Sequence, residues 1–132
     1  MIFKKKRMNI DKVTNSKIMN EIKVKCFIFE KDRVGTAYHE FQMGNKKNLF
    51  WDKDSILLKE ELMEETKLGN FFNKYIPNYD YFGTSIVTKD TWCKLLAESK
   101  NESWIIEKLI IELTPWVKNC FLEYDCFTIL GI

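Results

Sequence analysis

From Ile22 to Phe29 the chain reads IKVKCFIF: Ile22, Val24 and Cys26 alternate with Lys23 and Lys25, and the run then turns apolar on both sides. Alternation at period two marks a strand with one face toward a core, so a first strand is predicted to enter the interior here. Glu30 to Arg33 make a charged turn. Val34 to Met43 supplies a second strand with β-branched and aromatic residues, ending at the turn pair Gly44-Asn45, and Asn48 to Trp51 supplies a third. Short connections of this kind predict an antiparallel meander.

A helix is predicted next, with Asp52 or Asp54 as its N-cap and Gly69 as its stop. Projected at about 100° per residue, Ile56, Leu58, Leu62, Met63 and Thr66 share one face, while Glu60, Glu61, Glu64 and Glu65 share the other. Leu57 projects into the middle of the acidic face, an odd place for leucine on a solvated surface. Asn70 to Phe82 is dense in aromatics and contains Pro77-Asn78, which reads as a helix end and turn; Gly83 to Val87 reads as a strand. Thr88 with Asp90 opens another helix whose buried side carries Trp92, Leu95, Leu96 and Ser99, punctuated by Asn101 to Ser103. Trp104 to Leu113 is apolar around most of its circumference and fits a central helix, with a short buried strand as the alternative. Thr114-Pro115 reads as a helix restart, followed by a stripe of Trp116, Val117, Cys120, Phe121 and Tyr124. Cys126 to Ile132 has strand composition and is expected to be anchored in the core. The elements together predict an α+β fold: an antiparallel sheet built mainly from N-terminal strands, several helices packed on it, and a C-terminal closing strand.

At 132 residues, 45% hydrophobic and 30% charged, the chain is long enough for one core. The charge is unevenly placed. Residues 1–18 hold Lys4, Lys5, Lys6, Arg7, Lys12 and Lys17 against Asp11, a net of +5, so the overall +2 leaves −3 for the remainder. Residues 1–18 are therefore read as a basic extension, and residues 19–132 as a single globular domain. The basic run is interrupted by polar residues where a signal peptide needs an apolar stretch of about 7 to 15, and the longest apolar window falls far short of the roughly 20 residues of a membrane span. A cytoplasmic protein is expected, with Cys26, Cys93, Cys120 and Cys126 as reduced, mostly buried thiols. With no CxxC pair and His39 the single histidine, neither a metal nor another cofactor is expected.

Candidate chemistry is sparse. His39 beside Glu40 could serve as a general base oriented by a carboxylate, but no nucleophile elbow, zinc-protease, phosphate-loop or dinucleotide pattern accompanies it. Adjacent glutamates on an exposed helix lack the burial that would separate their pKa values for acid–base work, so no catalytic residue is expected. The aromatics sit at core spacing, and the domain has the wrong sign for phosphate. A small nucleic-acid-associated regulator using Lys4 to Arg7 is the alternative this leaves open. The acidic face, Asp52, Asp54, Glu60, Glu61, Glu64 and Glu65 with Leu57 as an apolar anchor, has the chemistry of a docking surface for a basic protein.

The C-terminal third adds a resemblance. Thr88-Lys-Asp-Thr-Trp92-Cys-Lys-Leu-Leu96, then Leu113-Thr-Pro-Trp116-Val-Lys-Asn-Cys-Phe121, then Phe127-Thr-Ile-Leu-Gly-Ile132 resembles bacterial immunity proteins encoded beside polymorphic toxins, including those of contact-dependent growth inhibition systems. The resemblance covers about the last 45 residues. It implies a non-enzymatic cytoplasmic inhibitor that binds the C-terminal domain of a cognate toxin, a nuclease with a basic substrate groove, such as an RNase, and blocks it. Interfaces diverge among such pairs, so the resemblance transfers no binding residue.

Overall fold

A computed structural model of the chain describes residues 25–45 and 50–131. Its organising strand is β2 (Tyr38–Met43). The chain forms β1 (Ile28–Phe29), a 3-10 turn at Glu30–Asp32, β2, β3 (Ile56–Lys59), the short helix α1 (Glu60–Glu65), α2 (Leu68–Tyr75), β4 (Thr84–Thr88), α3 (Lys89–Ser99), α4 (Trp104–Cys120) and β5 (Cys126–Leu130). The five strands make one sheet in the order β1-β3-β2-β5-β4, with every pairing antiparallel. This is the expected α+β architecture with its C-terminal strand.

Register decides which side chains enter the core. Phe41 stands opposite Ile56 on one side and Ile129 on the other, and Val87 stands opposite Phe127. Alternation then puts Leu58 on the same face. Onto that face α2 lays Leu68, Phe71 and Phe72, α3 lays Trp92 and Leu95, and α4 lays Ile106, Leu109, Ile110, Leu113 and Val117. The opposite face is also shielded: Tyr38, Glu40, Gln42, Leu57 and Leu130 are all buried. The loop at 50–55 contributes there, with the Trp51 ring edge-on to Tyr38 and the Asp52 N–H donating to Glu40 Oε2 at 2.6 Å.

That second buried face explains the main departure from the sequence reading. No helix starts at Asp52 or Asp54; Ile56-Leu57-Leu58 is strand β3, paired on both sides. A strand buried on both faces is apolar at every position and loses its period-two signal. Asp52 closes a turn instead, its carbonyl accepting from the Ser55 N–H and its carboxylate from the Asp54 N–H. Lys67, in the left-handed region at φ 66°, separates α1 from α2. Gly69 lies in the first turn of α2 rather than stopping a helix; a Cβ there would come within 2.8 Å of the Tyr81 ring.

Other boundaries shift for local reasons. Cys26 and Phe27 leave the first strand because both their N–H groups donate to Glu112 Oε2, each at 2.7 Å. Residues 1–18, Ile22 to Val24 and Asn48-Leu49 lie outside the described residues, and Phe50-Trp51 are not strand. Thr114-Pro115 does not restart a helix. It sits within α4, where the Thr114 hydroxyl donates to the Ile110 carbonyl at 2.7 Å. Proline removes the donor to the Ile111 carbonyl, and Ile111 is 62% exposed, so water can take that place. Thr88 caps α3 as expected, accepting from Thr91 N–H at 3.2 Å. The four cysteines are free thiols; Cys26 and Cys120 are buried and Cys93 is exposed. Among the described residues no helix is long and apolar enough to cross a membrane.

Leu57 separates the two pictures of this region by stability. It is 0% exposed, so Leu57→Ala is expected to cost about 2–5 kcal/mol in urea denaturation, whereas a leucine on a solvated helix face would cost no more than about 0.5 kcal/mol.

Candidate functional site

The residues expected to form one acidic face fall into two groups. Asp52 and Asp54 lie before β3, and Glu60, Glu61, Glu64 and Glu65 lie after it. The four residues of β3 span roughly 13 Å at about 3.3 Å per residue. Leu57 lies between the groups but is fully buried, so it is no exposed anchor. Asp52 is half-buried in its turn, Asp54 is exposed, and Glu61, Glu64 and Glu65 project to solvent from α1.

Glu60 has a different role from its neighbours. Its Oε1 accepts from His39 Nε2 at 2.5 Å and its Oε2 from the Tyr81 hydroxyl at 2.7 Å, while the His39 ring packs edge-on to Tyr81 with centroids 4.6 Å apart. His39 is 0% exposed, and its Nδ1 has no hydrogen-bond partner among the described residues. Burial pushes the His39 pKa below its ordinary value, against the hydrogen bond and charge of Glu60 and the charge of Glu64. Burial, together with Glu60, pushes the Tyr81 and Tyr79 phenols upward. The imidazole is thus neutral near pH 7 and the Tyr81 phenol is a donor, so that Glu60 fastens α1 to β2 through His39 and to Tyr81.

The His39–Glu40 pair considered as a general base and its orienting carboxylate does not assemble. Neighbours on a strand face opposite ways, and Glu40 points to the other side of the sheet, where it accepts from Asp52. That alternation was available in the sequence; the true partner, Glu60, is 21 residues away and carried no local signal.

Two concavities flank these elements. A cleft of about 500 Å³ is lined by Gly69, Asn70, Asn73, Tyr79 and Tyr81. A larger groove of about 790 Å³ opens between β1 and the C-terminal half of α4, with Phe27, Met43, Ile56 and Trp116 among its apolar walls and Asp32, Asp54, Glu112 and Glu123 among its charged ones. The Trp116 indole N–H donates to the Asp54 carbonyl at 3.0 Å across this groove. Glu112 was legible only as an interruption in an apolar helix, yet it ties α4 to the approach of β1. No three of His, Cys, Asp and Glu among the described residues are grouped to hold a metal ion.

The Glu60 cluster makes two expectations. Glu60→Gln should cost about 1–3 kcal/mol, since a charged acceptor of two hydrogen bonds is lost, while Glu64→Gln, which removes a like-charge repulsion, should not lower the urea midpoint. Because the folded pKa of His39 lies below the 6.5 of free imidazole, the unfolded chain takes up this proton first. The stability His39 contributes is complete above pH 6.5 and is lost as pH falls toward the folded value. Urea midpoints between about pH 8 and about pH 5 should therefore fall more steeply for the natural chain than for His39→Gln; equal slopes would remove His39 from the account. In comparisons with known proteins, no family model, no curated protein and no solved structure matches this chain.

Proposed function

We propose that the chain is a non-enzymatic immunity protein that binds a basic toxin domain, of nuclease type, and blocks its active site or substrate groove. The observation that carries this reading is the charge arrangement of α1, which works against the helix that bears it. Glu61 and Glu65 are an i,i+4 pair and Glu61 and Glu64 an i,i+3 pair, and like charges at these spacings destabilise by about 0.2–0.5 kcal/mol each. Glu64 and Glu65 stand at the C-terminal end, where the helix dipole favours cations, and the last turn has no basic residue. Among the described residues Glu64 and Glu65 make no ion pair. A basic surface laid on α1 would relieve each of these repulsions.

Two further features support a binding role. Glu60 fixes α1 to the sheet through His39 and Tyr81, so the outward carboxylates are presented from a held base and lose little freedom on association. His39, the histidine a catalytic reading would need, is closed to solvent.

The test is co-expression with the C-terminal domain encoded immediately upstream. That domain should arrest growth, and this chain should restore it while forming a stoichiometric complex; a harmless neighbour, or arrest that persists with the chain well expressed, overturns the proposal. Reversing Glu64 and Glu65 to lysine should weaken the complex about tenfold or more, chiefly through slower association, without lowering thermal stability. Raising salt should slow association of the natural chain in the same way, since steering is screened over about 8 Å at physiological ionic strength.

A further inference from the structure

We propose that the groove between β1 and the C-terminal half of α4 receives an arginine-bearing segment of the basic partner, with leucine-like side chains beside the arginine; this rests on reading the chain as a binder of a basic protein.

The groove combines what the acidic helix lacks. Phe29 on one wall is 51% exposed and Leu122 on the other is 82% exposed. Large apolar side chains facing each other across a concavity form the apolar centre of a docking surface, whose energy comes from excluding water there. The described lining carries four carboxylates, Asp32, Asp54, Glu112 and Glu123, against two lysines, Lys25 and Lys53, so its complement is a cation.

Two details favour arginine over lysine. Trp116 lines the groove in a fixed pose, its indole N–H held by the Asp54 carbonyl and its ring edge-on to Phe127 at 5.6 Å. Guanidinium is weakly hydrated and stacks on such rings, while ammonium holds its water. The Glu112 side chain is 8% exposed. Both N–H groups it accepts fall on Oε2, and Oε1 has no hydrogen-bond donor among the described residues, with Lys108 Nζ 4.0 Å away. A buried carboxylate oxygen without a donor matches a fork of N–H groups better than a single point charge.

The probe is a short capped peptide alternating arginine and leucine, titrated into the full isotopically labelled chain and followed by amide and indole NMR shifts. Shifts should cluster at Asp54, the Trp116 indole, Leu122 and Glu123. The same peptide with lysine for arginine should bind more weakly, and one with glutamate should not bind. Leu122→Ser and Glu123→Gln alter exposed positions and should each weaken binding about tenfold, whereas lysine at Glu64 and Glu65 should leave it unchanged. Shifts centred on α1, equal binding of the glutamate peptide, or no shift at any concentration would overturn the proposal. So would carbodiimide cross-links joining Lys4, Lys5 or Lys6 to Asp54 or Glu123 in the unliganded chain, which would make this chain's own basic segment the occupant. The peptide experiment contains no toxin: capture of the peptide without growth rescue would sink the immunity reading alone, and rescue without capture would sink the groove alone.

Discussion

Strand β5 joins parts of the sheet that lie far apart in the chain. It pairs with β2 on one side and β4 on the other, and the Thr128 hydroxyl donates to the Gly44 carbonyl at 2.6 Å across 84 residues. Without it β4 has no contact with β1, β3 and β2 through the sheet. Phe127 makes the strand a packing centre as well as a pairing one. Its ring meets Phe41 from β2, Trp92 from α3, Trp116 from α4 and Phe121 just beyond α4. The groove described above depends on the same point, since Trp116 is held between Phe127 and the Asp54 carbonyl. Long-range pairing of this kind carries its loop-closure entropy before it gains contacts.

Two carboxylates largely withdrawn from solvent then fix the periphery to this centre, each by a different chemistry. Glu60 receives an imidazole and a phenol, and holds a short helix down onto β2. Glu112 receives two consecutive backbone N–H groups and holds the entrance of β1 against α4. In both, a charge is taken from water only because donors converge on it. Glu60 is set apart from the outward glutamates of α1, whereas Glu112 also lines the groove.

Elements with a single buried face were readable from sequence. The α3 helix, with Thr88 as cap and Trp92, Leu95 and Ser99 inward, follows its 3.6-residue period, and β4 alternates buried and exposed positions and runs one residue past the predicted Val87. Reading failed at β3, whose burial has two faces. Ile56-Leu57-Leu58 is apolar throughout because both sides of β3 are covered, and a helical stripe fits such a run as well as a strand does. Thr114-Pro115 misled for a different reason: its local signal is a genuine helix start, overridden by an α4 already packed on both sides of it. The acidic residues of α1 were found because charge patterning is local. The groove was not, because Phe29, Asp54 and Leu122 share no segment and meet only through the sheet.

The separation of Glu60 from Glu61, Glu64 and Glu65 has a consequence for how such a surface changes over generations. One carboxylate of α1 is committed to the interior, and the others stand outside the core cluster. Drift in those outward positions can rewrite the charge pattern on display while the packing that supports it is inherited intact. Packing and displayed charge are therefore nearly separable in this helix, and the outward positions can change what it presents without passing through a destabilised intermediate.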